Sequence, residues 1–244
     1  MYTRGNTMKK EEYYRRSERG NVLFLILIAV ALFAALSYAV TQSSRSGGGD
    51  ASRETTLVNS STITQYPASL RTAIVRMTVS NGVTADQLIF DPPSAFGSLS
   101  AVQQAQNVFH PSGGGASYTQ APSSVMANNA PGDWRYNAAN QILNIGQDVA
   151  TNAGNDIIAF LPGVSLAICQ RIHTQLGLST TLPTETGIVF TAGADKLYTS
   201  AAIPAYAATA IIGNSGGSIL NAQPQGCFQQ PAGTYIYYHV LVER

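Results

Sequence analysis

From Val22 to Val40 no residue carries a charge, and only Ser37 and Tyr38 interrupt nineteen otherwise apolar positions. At 1.5 Å per residue such a helix spans about 28 Å, enough for the hydrocarbon core of a bilayer. Neither Gly nor Pro interrupts the run, so it is expected to be helical in lipid. Ser43–Gly49, SSRSGGG, then predicts a flexible break, because each glycine costs a helix roughly 1 kcal/mol relative to alanine. Beyond it, Ile63, Tyr66, Leu70, Ile74 and Met77 recur at spacings of three and four, the stripe of an amphipathic helix. Pro67 suits its first turn, Gly82 its end, and Arg71 and Arg76 its wet side.

The pattern loses periodicity over residues 91–133, where five prolines and the Gly113–Gly115 run predict a long surface connection. One helical turn is expected within it, near Ser100–Val108. Strand patterns follow. Trp134, Tyr136 and Ile142–Ile145 predict a hairpin turning at Asn137–Asn140. DIIAFL, residues 156–161, predicts a buried strand closed by Pro162 and Gly163. A short helix over Ser165–Leu176 should turn Leu166, Ile168, Cys169, Ile172 and Leu176 inward and stop at Gly177. In TYIYYHVLV, residues 234–242, both alternating faces are apolar enough for a central, covered strand.

Composition adds the compartment. Only 11% of the 244 residues are charged, against roughly 25% in an average soluble domain, and hydroxyl, amide and small side chains take their place. Residues 1–20 carry +3 and the rest −2. Basic residues before the apolar run set the N-terminus in the cytoplasm and the body across the membrane. A net charge of +1 and the absence of a basic, aromatic-interleaved patch give no case for nucleic acid. Cys169 and Cys227 both fall in the translocated body, where two cysteines in one domain most simply make one disulfide, two buried thiols being the alternative.

Catalytic signals are thin. No metalloprotease, nucleophile-elbow or phosphate-loop motif occurs. Cys169 and His173 would share a helix face, but a disulfide at Cys169 is the stronger expectation. His110 and His239 stand apart from it. Asp148 and Asp156 flank TNAGN as a possible calcium pair, for which a solvated turn is the better reading. Asp133 and Asp195 read as loop residues. Neither enzyme activity, cofactor nor metal is expected.

The boundary of the apolar run admits three readings: a plain anchor, a secretory signal cut after Ala39, or a leader cut earlier. The third rests on Arg19-Gly20. A basic leader ending in glycine and followed by about twenty apolar residues resembles the class III signal of type IV prepilins and type II secretion pseudopilins. The resemblance implies a prepilin peptidase cutting between Gly20 and Asn21 on the cytoplasmic side, with the apolar helix retained. The chain begins at Met1 or Met8. It departs from the family at the first and fifth mature positions, which would be Asn21 and Leu25 instead of an apolar first residue and a glutamate. The tip pseudopilin also lacks that acid, which implies a minor or tip subunit. A Pro-Gly-Val step, a cysteine-bearing helix, and Gly226-Cys227 before a last strand resemble the disulfide-closed C-terminal region of type IVb pilins.

The expected architecture is therefore α+β. It comprises a leader (1–20), a transmembrane helix (21–42), a Gly-rich hinge (43–50), and an extracytoplasmic domain (51–244) whose amphipathic helix packs on an antiparallel sheet. The implied function is assembly into a type IV pilus or secretion-type filament, with the membrane, other pilin-like subunits and the assembly machinery as partners. Leu25, Ala31 and Ala35 lie on the assembly helix, in the inner membrane, with the domain in the periplasm or carried into an extracellular filament. The alternative is a membrane-anchored or secreted adhesin-like binding protein.

Overall fold

The computed structural model describes residues 18–147, 154–190, 210–216 and 218–244. The chain divides into two compact units, Met1–Arg53 and Glu54–Arg244. Helix α1, Glu18–Asn81, belongs to both. It runs through Ser43–Gly49, where the sequence predicts a break. Three glycines weaken a helix without removing a single backbone donor, so hydrogen bonding propagates through them from either side. Pro67 accordingly sits inside α1 and not in a first turn. Its ring is buried, and the missing N–H leaves the Ile63 carbonyl without its intrahelical donor.

In the first unit, Val22–Gln42 is long and apolar enough to cross a membrane as one span. The second unit is α+β. Its five strands are β1 (Arg135–Ile142), β2 (Asp156–Val164), β3 (Ile211–Ile212), β4 (Gln225–Gln229) and β5 (Tyr235–Val242). They lie in the order β3-β1-β2-β5-β4. Four of them pair antiparallel, but β3 joins β1 in parallel through Gln141↔Ile211 and Ile142↔Ile212. The sheet is thus mixed, a correction to the all-antiparallel expectation. Two residues arriving after a long excursion complete its edge, which no local pattern announces.

Strand periodicity sorts the two faces. Ile157, Ala159, Leu161, Tyr237 and Leu241 lie in one apolar cluster with Ile63, Leu70, Ile74 and Met77 of α1. Ile168, Cys169 and Ile172 of helix α3 (Leu166–Gln175) join it. Ile158, Phe160, Ile236, Tyr238 and Val240 face the other way, under Ile188, Ile212 and Leu220. That second face is covered by irregular chain. β5 is interior and buried over six of its eight residues, as its doubly apolar pattern predicts. In α3 the inward residues are Ile168, Cys169, Ile172 and His173, while Leu166 at its start is exposed.

The expected hairpin at Asn137–Asn140 is instead the middle of β1, with a register shift against β2 between those two residues. The cause is visible in the side chains. Asn137 and Asn140 both donate Nδ2 to the Val189 carbonyl, at 2.7 and 2.8 Å, and Asn140 Oδ1 accepts the Val189 N–H at 2.9 Å. Turn-type residues here build a bulge whose amides hold a neighbouring segment. Asp156 closes the other side, its buried carboxylate accepting from Ile142 N–H (2.9 Å) and Arg244 N–H (3.0 Å). Pro162 and Gly163 do not end β2, which continues to Val164 past a second register shift.

The long connection holds helix α2, Ala101–Gln106, capped by Ser100 and Gln103, with short 3-10 turns at Pro93–Ser98 and Ser123–Val125. Gly113 and Gly114 press against α2 and the strand-like backbone after it. A Cβ on Gly114 would collide with the Val108 carbonyl and the Met77 sulfur.

Candidate functional site

Two surfaces and one buried cluster collect the residues singled out by sequence. In the first unit, Leu25 is 58% exposed, and Ala31 and Ala35 lie one turn apart, both exposed. Gly20 and Asn21 fall within the first turn of α1, so the peptide bond between them is helical. Near the far end of the span two polar side chains bond back along the helix surface. Thr41 Oγ1 donates to the Ser37 carbonyl, and Gln42 Nε2 donates to Tyr38 Oη at 2.8 Å.

The second surface is the outward side of α1 in the second unit. Val58, Val75 and Val79 are 63%, 54% and 79% exposed. Between Thr55 and Ser80 the only charged residues are Arg71 and Arg76. Arg71 pairs with Glu243 at 3.0 Å, and Arg76 donates to the Gly114 carbonyl. The hydroxyls of Ser61, Thr62, Ser69 and Thr72 bond to carbonyls three or four residues back on the same helix. A surface helix in water ordinarily carries charge on its outer face. This one carries apolar side chains and four hydroxyls satisfied by its own backbone, beside exposed Gln65, Thr78 and Ser80. Hydrophobic periodicity predicts the inner stripe but says nothing of this outer one, whose only sequence signal is the scarcity of charge.

The buried cluster surrounds the disulfide. Cys169 on α3 and Cys227 on β4 are bonded, with Cα atoms 5.7 Å apart and both side chains fully buried. His173, one turn after Cys169, is therefore no partner for a thiolate. Its Nε2 accepts the Cys227 N–H at 2.9 Å, which places the proton on Nδ1 for donation to the Ser179 carbonyl at 2.8 Å. Burial lowers its pKa and keeps the ring neutral. The imidazole closes an outward-facing donor of edge strand β4, and Pro183 and Glu185 close Gln229. The edge is thereby withdrawn from pairing with another chain.

His239 is a second buried imidazole. Its Nδ1 lies 3.1 Å from Tyr237 Oη, which donates to Gln225 Oε1 at 2.9 Å. One proton cannot serve both, so His239 Nδ1–H is the donor to Tyr237. Burial, helped by Arg71, lowers its pKa to about 4, and burial raises that of Tyr237. Neither group is poised for proton transfer near neutral pH. His110 packs edge-on against Phe96 at 4.7 Å and accepts from Ser112 N–H. Asp156 spends its oxygens on backbone donors, while Asp148, Asp195 and residues 1–17 lie outside the described residues. Asp133 accepts from Gln120 in a loop. Among the described residues no three His, Cys, Asp or Glu side chains converge to hold a metal.

Sequence reasoning missed Glu185. Its buried carboxylate accepts from Gly213 N–H, Ser215 Oγ and Ser218 Oγ at 3.0–3.3 Å, pinning the chain that covers the second sheet face. No protein-family model, curated protein or solved structure matches the chain.

Proposed function

We propose that this protein is a structural subunit of a filament of the type IV pilus or type II secretion kind, in a minor or tip position, and not a catalyst. The observation that carries the reading is the outward surface of α1. From Val22 to Gln42 it is apolar and exposed. From Thr55 to Ser80 its two arginines are engaged and the hydroxyls of Ser61, Thr62, Ser69 and Thr72 are bonded to their own helix, with Gln65, Thr78 and Ser80 left exposed beside them. Such a surface loses little on leaving water, because few of its polar groups must give up a hydrogen bond to do so. An assembly helix needs that property; a lone anchor needs it only within the bilayer.

On this reading prepilin peptidase cuts after Gly20, Asn21 becomes the mature N-terminus, and the domain faces the periplasm. Ser43–Gly49 serves as a hinge, because its glycines make it the stretch of α1 where bending costs least. Leu25, Ala31 and Ala35 meet neighbouring subunits, the alanines allowing close approach of backbones. N-terminal sequencing of the mature protein tests the reading. It should begin at Asn21. A chain starting at Val40 refutes it in favour of ordinary secretion, and an intact Met1 or Met8 leaves an anchored, adhesin-like protein.

A further inference from the structure

Helix α1 of the second unit ends in Asn81-Gly82, the one Asn-Gly pair in the sequence. An asparagine side chain can be attacked by the backbone nitrogen of the residue that follows. A Cβ on that residue obstructs the approach, and hydrogen bonds to the carboxamide or the nitrogen restrain it. Neither a Cβ nor a bond to the carboxamide protects this site. Gly82 has no Cβ, and the space where one would sit is empty to 4 Å. Asn81 is exposed, and its carboxamide has no hydrogen-bond partner among the described residues. The chain reverses at Gly82, φ +65°, and Val83 N–H bonds to the Met77 carbonyl at 3.3 Å.

Six other asparagines of the domain set a contrast. Asn107, Asn137, Asn140 and Asn155 are buried with their amides engaged, and each precedes a residue with a Cβ. Asn144 and Asn221 are bonded to each other at 2.7 Å.

We propose that Asn81-Gly82 is a self-modification site, at which the Gly82 nitrogen closes on the Asn81 side chain and expels ammonia. The nitrogen loses its proton and forms a bond to Asn81 Cγ as the Cγ–Nδ2 bond breaks. Nδ2 departs as ammonia and leaves a five-membered succinimide. Water then opens the ring at either carbonyl, giving aspartate or isoaspartate; no redox partner is required. The product replaces a neutral amide with a carboxylate at the C-terminal end of α1, where the helix dipole disfavours negative charge. It also changes a surface groove. Asn81, Gly82, Val83, Gln87, Val102 and Gln106 help to line a shallow depression of about 370 Å³ with no charged residue in its wall. Modification makes that depression acidic, and the isoaspartate form lengthens the backbone at its rim.

The test incubates the purified full-length protein in detergent at mildly alkaline pH, in ordinary and in oxygen-18 water, beside a synthetic peptide of residues 77–86. The tryptic fragment Met77–Arg135 should gain the mass of amide-to-acid exchange at Asn81, with one heavy oxygen in labelled water. Isoaspartate should accompany aspartate, and the rate should rise with pH and approach that of the peptide. Asn81→Gln should abolish the change, and Gly82→Ala should slow it severalfold while leaving Asn81 in place. Aspartate without isoaspartate would overturn the cyclisation route. An unmodified Asn81 under conditions that convert the peptide would overturn the proposal, because the helix end would then be protecting it.

Discussion

Removing the Cys169–Cys227 bond should cost the second unit a large part of its stability. The two cysteines are 58 residues apart. Closing a loop of that length restricts the unfolded chain by about 4 kcal/mol on the chain-entropy account. A domain of this size unfolds in urea with a slope of about 2 kcal/mol/M, so the Cys169→Ala/Cys227→Ala variant should unfold about 2 M earlier. Trp134 is the sole tryptophan, buried and 5.2 Å from the Tyr66 ring, and its fluorescence reports the transition. Wild type unfolded in the presence of reductant serves as the control, since it loses the bond and keeps both sulfur atoms. Equal midpoints for variant and reduced wild type assign the loss to the cross-link. A much weaker variant assigns the excess to lost packing around two fully buried side chains. A midpoint shift below about 0.5 M in both would refute the argument, meaning that the unfolded chain is already restrained over this span. Because neither sulfur is exposed, reductant should act on the native protein only as fast as it opens.

Replacing Ala31 and Ala35 with Leu should preserve membrane insertion and abolish crosslinking to partner subunits; unchanged crosslinking would reduce the helix to an anchor. Thr62→Lys with Val79→Lys should leave the unfolding free energy of the domain in urea within about 0.5 kcal/mol of wild type yet block assembly, and an assembled double variant would show that this face stays in water. Asp156→Ala strands two backbone donors and should cost at least about 2 kcal/mol by urea unfolding. His239 carries a pKa of about 4 when folded against about 6.5 unfolded, so the unfolded state takes up a proton first as pH falls. Stability should be full above pH ~6.5 and decline towards pH ~4, and His239→Gln should flatten that decline; an unaltered pH profile would exclude His239 as its source.

The sequence announces those parts of the fold whose causes are local. The doubly apolar 235–242 pattern becomes an interior strand, and DIIAFL a buried one. Gly82 and Gly177 end helices at positive φ. Where the cause is distant, local reading fails. Asn137–Asn140 carries the composition of a turn, but its amides are recruited by Val189, some fifty residues away, and the strand continues. The glycines of Ser43–Gly49 are weighed against alanine one at a time, whereas the helix they occupy is sustained from both flanks. Strand β3 is two residues long and acquires its meaning from a parallel partner seventy positions earlier. His173 was legible as a neighbour of Cys169 but not as a plug for β4, because the donor it meets belongs to Cys227.

The proposed role rests on how this chain disposes of polarity. A domain with so few charges must remain wet by other means, and hydroxyls and amides provide them. The outer face of α1 goes further, because four of its hydroxyls are bonded to the helix that bears them and its two arginines are engaged with Glu243 and Gly114. Each satisfied hydroxyl removes a desolvation cost of about 1–3 kcal/mol from any packed state, without strengthening the folded monomer by more than about one hydrogen bond. Selection for monomer stability alone would favour lysine and glutamate pairs on that face. A face that is soluble but inexpensive to dry is what a helix requires when it must reside in water, or at a membrane, before it is packed against neighbours.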